Sequence, residues 1–181
     1  MFKRFKAKKV ERDANRIMSS WGKVLKESNM DDRALFLIVY FLLKQKSVYQ
    51  GKSLIHNNLA CAEYVVASSA YFAENTYIFK ELESKVEIAL KTFFGIRDSS
   101  LKNVKERFNF YCRTYSKSGL DAMINEIVLI IPHDLDKGYL VEYNEDSPLL
   151  LIGFSEQMFI EIETRASIKG LIDLVQTELN R

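Results

Sequence analysis

The sequence predicts an all-α fold, a single-domain bundle of about six to seven helices. Three observations carry that prediction. Only 7 Gly and 2 Pro occur in 181 residues, too few for a chain built of many tight turns. The apolar fraction is 48%, ample for a packed core at this length. Those apolar residues also recur at three- and four-residue steps through most of the chain, which is the spacing of one helical face.

The elements can be justified in order. Val10, Ala14, Ile17, Met18, Trp21, Val24 and Leu25 line one face of a first helix. The basic segment 1–9 before it reads as a frayed, solvated start. Asn29 or Asp31 caps a second helix carrying "ALFLIVYFLL", residues 34–43, and Gly51 ends it. That apolar run is far shorter than the ~20 residues needed to cross a bilayer, so it reads as a buried helix. A third helix begins near Ser53 and carries Leu59, Ala62, Val66 and Ala70. The next runs from about Tyr77 to Phe94, with Gly95 at its stop.

Ser99 or Ser100 caps a fifth helix through Val104, Phe108, Tyr111 and Tyr115, ending near Gly119. A sixth spans Leu120 to Ile131 and halts before Pro132, because a residue preceding proline avoids helical geometry. Residues 132–146 then form the longest polar interruption. Ser147-Pro148 is a good helix entry, followed by Leu150, Phe154, Met158, Ile162, Leu171, Val175 and Leu179, with a break near Ser167–Gly170. A β-hairpin over 139–153, turning at "NEDSP", is the competing expectation there.

The stretch "IIPHDLDKGY", residues 130–139, contains an adjacent His133-Asp134 pair. In this it resembles the HD-type metal-dependent phosphohydrolases, which are also all-helical. The resemblance implies a divalent metal held by His133, Asp134 and His56, activating water against a phosphate ester. Pro132 departs from the family pattern, which has a continuing helix there, and His56 lies much further upstream than the family's first histidine. The bland alternative is a helix end followed by solvated polar residues.

Other chemistries fail on spacing. Gly51-Lys52-Ser53 lacks the earlier glycine of a phosphate-binding loop and follows a helix rather than a strand. "SSWGKVL" resembles the first globin helix, but the two histidines are not placed to serve haem. Neither histidine has a Glu three residues before it, as a di-iron carboxylate bundle requires. Cys61 and Cys112 form no metal-ligand pattern; in apolar segments they read as buried inert thiols. With no secretory signal at the start, a reducing cytoplasm is the expected compartment. No cofactor is expected unless the HD reading holds.

Charge is distributed unevenly. Residues 1–26 carry nine Lys/Arg against two acids, whereas residues 118–181 carry four against twelve. The basic N-terminus, with Lys3, Arg4, Lys6, Lys8 and Lys9 around Phe2 and Phe5, suits an anionic membrane surface or nucleic acid. A second basic and aromatic stretch, including Arg107, Phe108 and Tyr111, reads foremost as core packing. Asp134, Asp136, Glu142, Glu145 and Asp146 form an acidic cluster that suits a basic protein partner or the N-terminus of a second copy. The leading expectation is therefore a cytoplasmic, non-enzymatic interaction protein that binds a protein partner or self-associates.

Overall fold

A computed structural model describes residues 12, 30–49, 51–76, 82–141 and 153–181. All regular structure among them is helical, as the periodicity requires. The elements are α1 (Met30–Val48), a 3₁₀ turn (Leu54–His56), α2 (Asn58–Thr76), α3 (Leu82–Phe94), α4 (Asp98–Leu101), α5 (Val104–Lys137) and α6 (Phe154–Leu179). The expected N-terminal helix lies outside the described residues apart from Arg12, which is helical.

α2 is the centre of the bundle. Residues 60–72 are buried on every side, and small side chains at Ala60, Ala62, Ala67, Ser68, Ser69 and Ala70 let neighbouring helices approach closely. α5 packs on it most extensively, with α1, α3 and α6 around the rest. α1 is likewise apolar all round between Ala34 and Leu43, the signature of a helix enclosed by others. It runs antiparallel to α6: Arg33 Nη2 donates to the Glu178 carbonyl at 3.0 Å, while at the far end the Leu54 N–H donates to Glu163 Oε2 at 3.1 Å.

Punctuation follows the sequence at two glycines. Gly95 (φ 64°) closes α3. Gly119 has φ 83° and ψ −178° inside α5, a region open essentially to glycine alone, so α5 is two helices joined across a kink. The expected third helix divides into the 3₁₀ turn, capped by Ser53, and α2.

Three expectations are corrected. The helix does not stop before Pro132: it continues to Lys137, and Gly138 (φ 72°) caps it by donating its N–H to the Asp134 carbonyl at 2.9 Å. The polar interruption thus begins at Gly138, six residues later than expected. α6 has no break near Ser167–Gly170. Its inward face is Ile160, Thr164, Ile168, Leu171, Ile172 and Val175, whereas Met158 and Ile162, expected in the core, are 50% and 60% exposed. As for the hairpin, residues 139–141 form no strand, and 142–152 lie outside the described residues.

Candidate functional site

Two features stand out: an open groove on the α1–α6 face, and a buried cluster of charges behind α5. The groove has a volume of about 640 Å³. One wall is a stripe of α1, Phe41, Lys44, Gln45 and Val48, continued by Tyr49 just past its end, at three- and four-residue spacing. The other is Glu163, Ala166, Ser167 and Leu174 of α6, with Ile55 of the 3₁₀ turn between them. Val48 is 71% exposed and Tyr49 48%. Glu163 is not a free acid in this groove, because it accepts from the Ser53 hydroxyl and the Leu54 N–H. Basic side chains stand at the edge: Lys44 over the Tyr40 ring and Lys52 over the Phe159 ring, 5.3 Å from its centroid.

The buried cluster is built from three helical positions. Glu63 of α2, Arg107 and Asp134 of α5 are all essentially inaccessible to solvent. Arg107 Nη1 lies 3.0 Å from Glu63 Oε1 and Nη2 lies 3.2 Å from Asp134 Oδ1. The first contact is off hydrogen-bond alignment, so it is a charge contact more than a directed bond. Tyr111 donates its hydroxyl to Glu63. Asp134 Oδ1 also accepts the Val141 N–H at 2.7 Å, Arg107 donates to the Val141 carbonyl, and Asn103 donates to the Leu140 carbonyl at 2.8 Å. Side chains from α5 and its entry thereby fix the backbone of 140–141.

Two carboxyl groups share one guanidinium in this cluster, so full ionisation would leave a buried net negative charge. Burial, then the neighbouring Glu63, push the Asp134 carboxyl up to about 9, against the opposing pull of Arg107. Asp134 Oδ2 has no acceptor or donor if ionised. A proton on it, directed toward Glu63, gives it a partner and removes the excess charge. Tyr111 is also held well above its ordinary range, by burial and then by Glu63.

The sequence-predicted residues fall in different places. Asp134 is committed to Arg107 and Val141. His133 beside it is half-buried, and His56 is exposed next to the Tyr49 ring, 6.1 Å between centroids. Among the described residues no group of three or more His, Cys, Asp or Glu is placed to hold a metal ion. Asp136 is on the surface beside Lys137. Glu142, Glu145 and Asp146, and the basic Lys3, Arg4, Lys6, Lys8 and Lys9, lie outside the described residues. Asp134, being buried, contributes nothing to an acidic surface patch. Arg107 likewise belongs to the core, along with the Val104, Phe108 and Tyr111 face that the periodicity had placed there.

Sequence reasoning did not find Glu63 or the groove. Glu63 carries a signal of its own, as an isolated acid between Ala62 and the apolar run of 64–67. A charge on a fully apolar helix needs a buried partner. The groove has no such signal, because it arises from two helices distant in sequence. Both cysteines are buried and free, Cys61 donating to the Ile55 carbonyl. Among the described residues no helix is long and apolar enough to cross a membrane. No protein-family model matches the chain, and it has no match among curated proteins or solved structures.

Proposed function

We propose that this chain is a non-enzymatic helical interaction protein of the cytoplasm, and that the α1–α6 face is its binding surface. The observation that carries the reading is the concentration of exposed apolar side chains there. Val48, Tyr49 and Leu174, three of the seven large hydrophobic residues that are exposed among the described positions, line this groove. Apolar side chains gathered on one side and edged by charge mark sites of association more often than scattered ones do. Polar side chains lie among them, so the surface suits a partner that leaves as well as one that stays. The uneven charge along the chain supports the same reading, by steering encounter. Buried free thiols suit a reducing compartment.

The test is affinity capture from a soluble extract with the wild-type chain and with Val48→Glu, a change at an exposed position that leaves the core intact. A protein recovered by the wild type is then purified and titrated against both. A loss of affinity of tenfold or more in the variant is expected, about the effect of placing a charge in an apolar contact. Equal retention by both chains, together with a monomeric wild type, would refute the reading.

A further inference from the structure

We infer that the α1–α6 groove receives a short amphipathic helix of a partner protein, one whose apolar stripe is flanked by acidic residues on the side that meets α1. The inference rests on the interaction reading above and names the chemistry of the partner. At about 100° per residue, Phe41, Lys44, Gln45 and Val48 fall within one arc of about 100° on α1, and Glu163, Ala166, Ser167 and Leu174 within an equal arc on α6. Each wall is therefore a single helix face. The two helices run antiparallel, so the groove follows their axes.

Its relief suits a helix. Leu174 stands toward the Phe41 end, because the register is set by the bond from Arg33 to the Glu178 carbonyl. Val48, Tyr49 and Ile55 gather at the other end, and the small Ala166 and Ser167 leave a dip between the two poles. Phe41 and Val48 are seven residues apart, about 10 Å along α1. A partner helix spans the same distance between positions i and i+7, with i+3 or i+4 over the dip, which is the usual way an apolar helix face enters a groove. Such a ridge fills a groove between two helices; the flat surface of a bilayer does not.

The charges select the flank. From Lys44 to Asn58 the sequence holds three lysines, one histidine and no acid. Lys44 and Lys52 are exposed, and each lies over an aromatic ring, with no carboxylate partner among the described residues. Glu163, the acid among the lining residues, already accepts from Ser53 and from the Leu54 N–H. On α6 the exposed charge next to Leu174 is Asp173. The α1 edge is thus basic and the α6 edge is not. That difference complements a helix with carboxylates along the flank toward α1, and opposes one with lysines there.

Selection from a display library of helix-forming peptides about four turns long, with the full chain as bait, lets the groove choose its ligand. Recovered peptides are expected to share apolar residues at i, i+3 or i+4 and i+7, and to carry an excess of acids. Titrated by fluorescence anisotropy, they should lose about tenfold or more in affinity on Val48→Glu and about tenfold on Lys44→Glu. Asp173→Asn should not weaken them. Against Lys44→Glu, a peptide with lysines in place of its α1-side acids should recover the affinity, which a folding defect would not allow. Failure to recover any peptide overturns the inference, as do peptides without an excess of acids or binding indifferent to Lys44→Glu. Cosedimentation with phosphatidylserine vesicles that is lost in Val48→Glu, or a dimer lost in the same variant, would overturn it by assigning the groove to a lipid surface or to a second copy. If peptide selection fails while a protein captured from extract still depends on Val48, only the acidic helix is eliminated. If both fail, the interaction reading falls with it.

Discussion

Replacing Asp134 with Asn tests the shared proton directly. In the folded chain the Asp134 carboxyl titrates at about 9, against an ordinary value of 3.8. The folded state therefore holds a proton that the unfolded chain releases above about pH 4. Folding takes that proton up, and its stabilising effect is complete only below the unfolded value. As pH rises from about 4 toward 9 it is lost, at a slope of one proton, or about 1.4 kcal/mol per pH unit. Above about 9 the folded carboxyl ionises and the slope ends. Other carboxylates have their own slopes, so the informative quantity is the difference between wild type and variant.

Asn mimics the protonated acid at every pH. Its Oδ1 keeps the Val141 N–H and the Arg107 contact, and its Nδ2–H takes the place of the acid proton toward Glu63. Urea unfolding followed by circular dichroism at pH 5, 6, 7 and 8 is the assay. Asp134→Asn should gain on the wild type by about 4 kcal/mol between pH 5 and pH 8, the difference shrinking steadily as pH falls. Parallel stabilities across that range, or a variant weaker at pH 8, would refute the shared proton. The second outcome would mean that Asp134 is ionised and its charge is needed by Arg107.

The remaining expectations concern the same cluster and the backbone around it. Glu63→Gln removes the neighbour that holds the Asp134 proton in place, so Asp134 should ionise beside Arg107 and the pH dependence between 5 and 8 should flatten in the same unfolding assay. Arg107→Met leaves buried carboxyls without their cation and the Val141 carbonyl without its donor; a loss of about 3–5 kcal/mol is expected in urea unfolding at pH 7. Gly119→Ala should cost about 1–3 kcal/mol in thermal or urea unfolding, all of it backbone strain at φ 83°, because a Cβ there meets nothing within 4 Å. Burial pushes the Cys61 thiol up to about 11, and Cys112 is buried as well. A thiol reagent at pH 8 should therefore modify neither in the native chain and both in urea.

Local order was legible in the sequence to the extent that it depends on neighbours in the chain. Helical periodicity placed α1 and α3, and glycine chemistry placed the ends at Gly95 and the kink at Gly119. Register was less legible on α6, where Met158 and Ile162 share the apolar character of the true core face. An apolar residue reports that it can be buried, not that it is. The cluster was illegible for a different reason. Arg107 and Asp134 are 27 residues apart, Tyr111 and Glu63 are 48 apart, and no local pattern encodes that they meet. His133 and Asp134 are neighbours in the chain, yet only Asp134 enters the buried cluster, as half of a carboxyl pair with Glu63 on another helix.

Pro132 shows how such distant contacts override a sound local rule. A proline inside a helix costs about 3 kcal/mol, through its missing N–H and a clash with the preceding turn. A chain free to choose would end the helix at Ile131. Ending it there would release Asp134 from the cluster, leave the Arg107–Glu63 pair without its third member, and free the backbone of 140–141. It would also expose Leu140, which is fully buried and whose burial contributes about 2 kcal/mol. The hydrogen bond from the charged Arg107 to the Val141 carbonyl adds about 1.5–3 kcal/mol, and that from the Val141 N–H to the neutral Asp134 carboxyl about 1 kcal/mol. The sum on the side of continuation exceeds the proline penalty, so the helix runs on to Lys137 and Gly138 closes it. The same balance predicts that Pro132 becomes a helix end once the cluster is broken. In Arg107→Met, amide exchange of residues 133–138 should rise well beyond that of residues 123–131, whereas uniform exchange along α5 would show that the helix persists past Pro132 without the cluster's help.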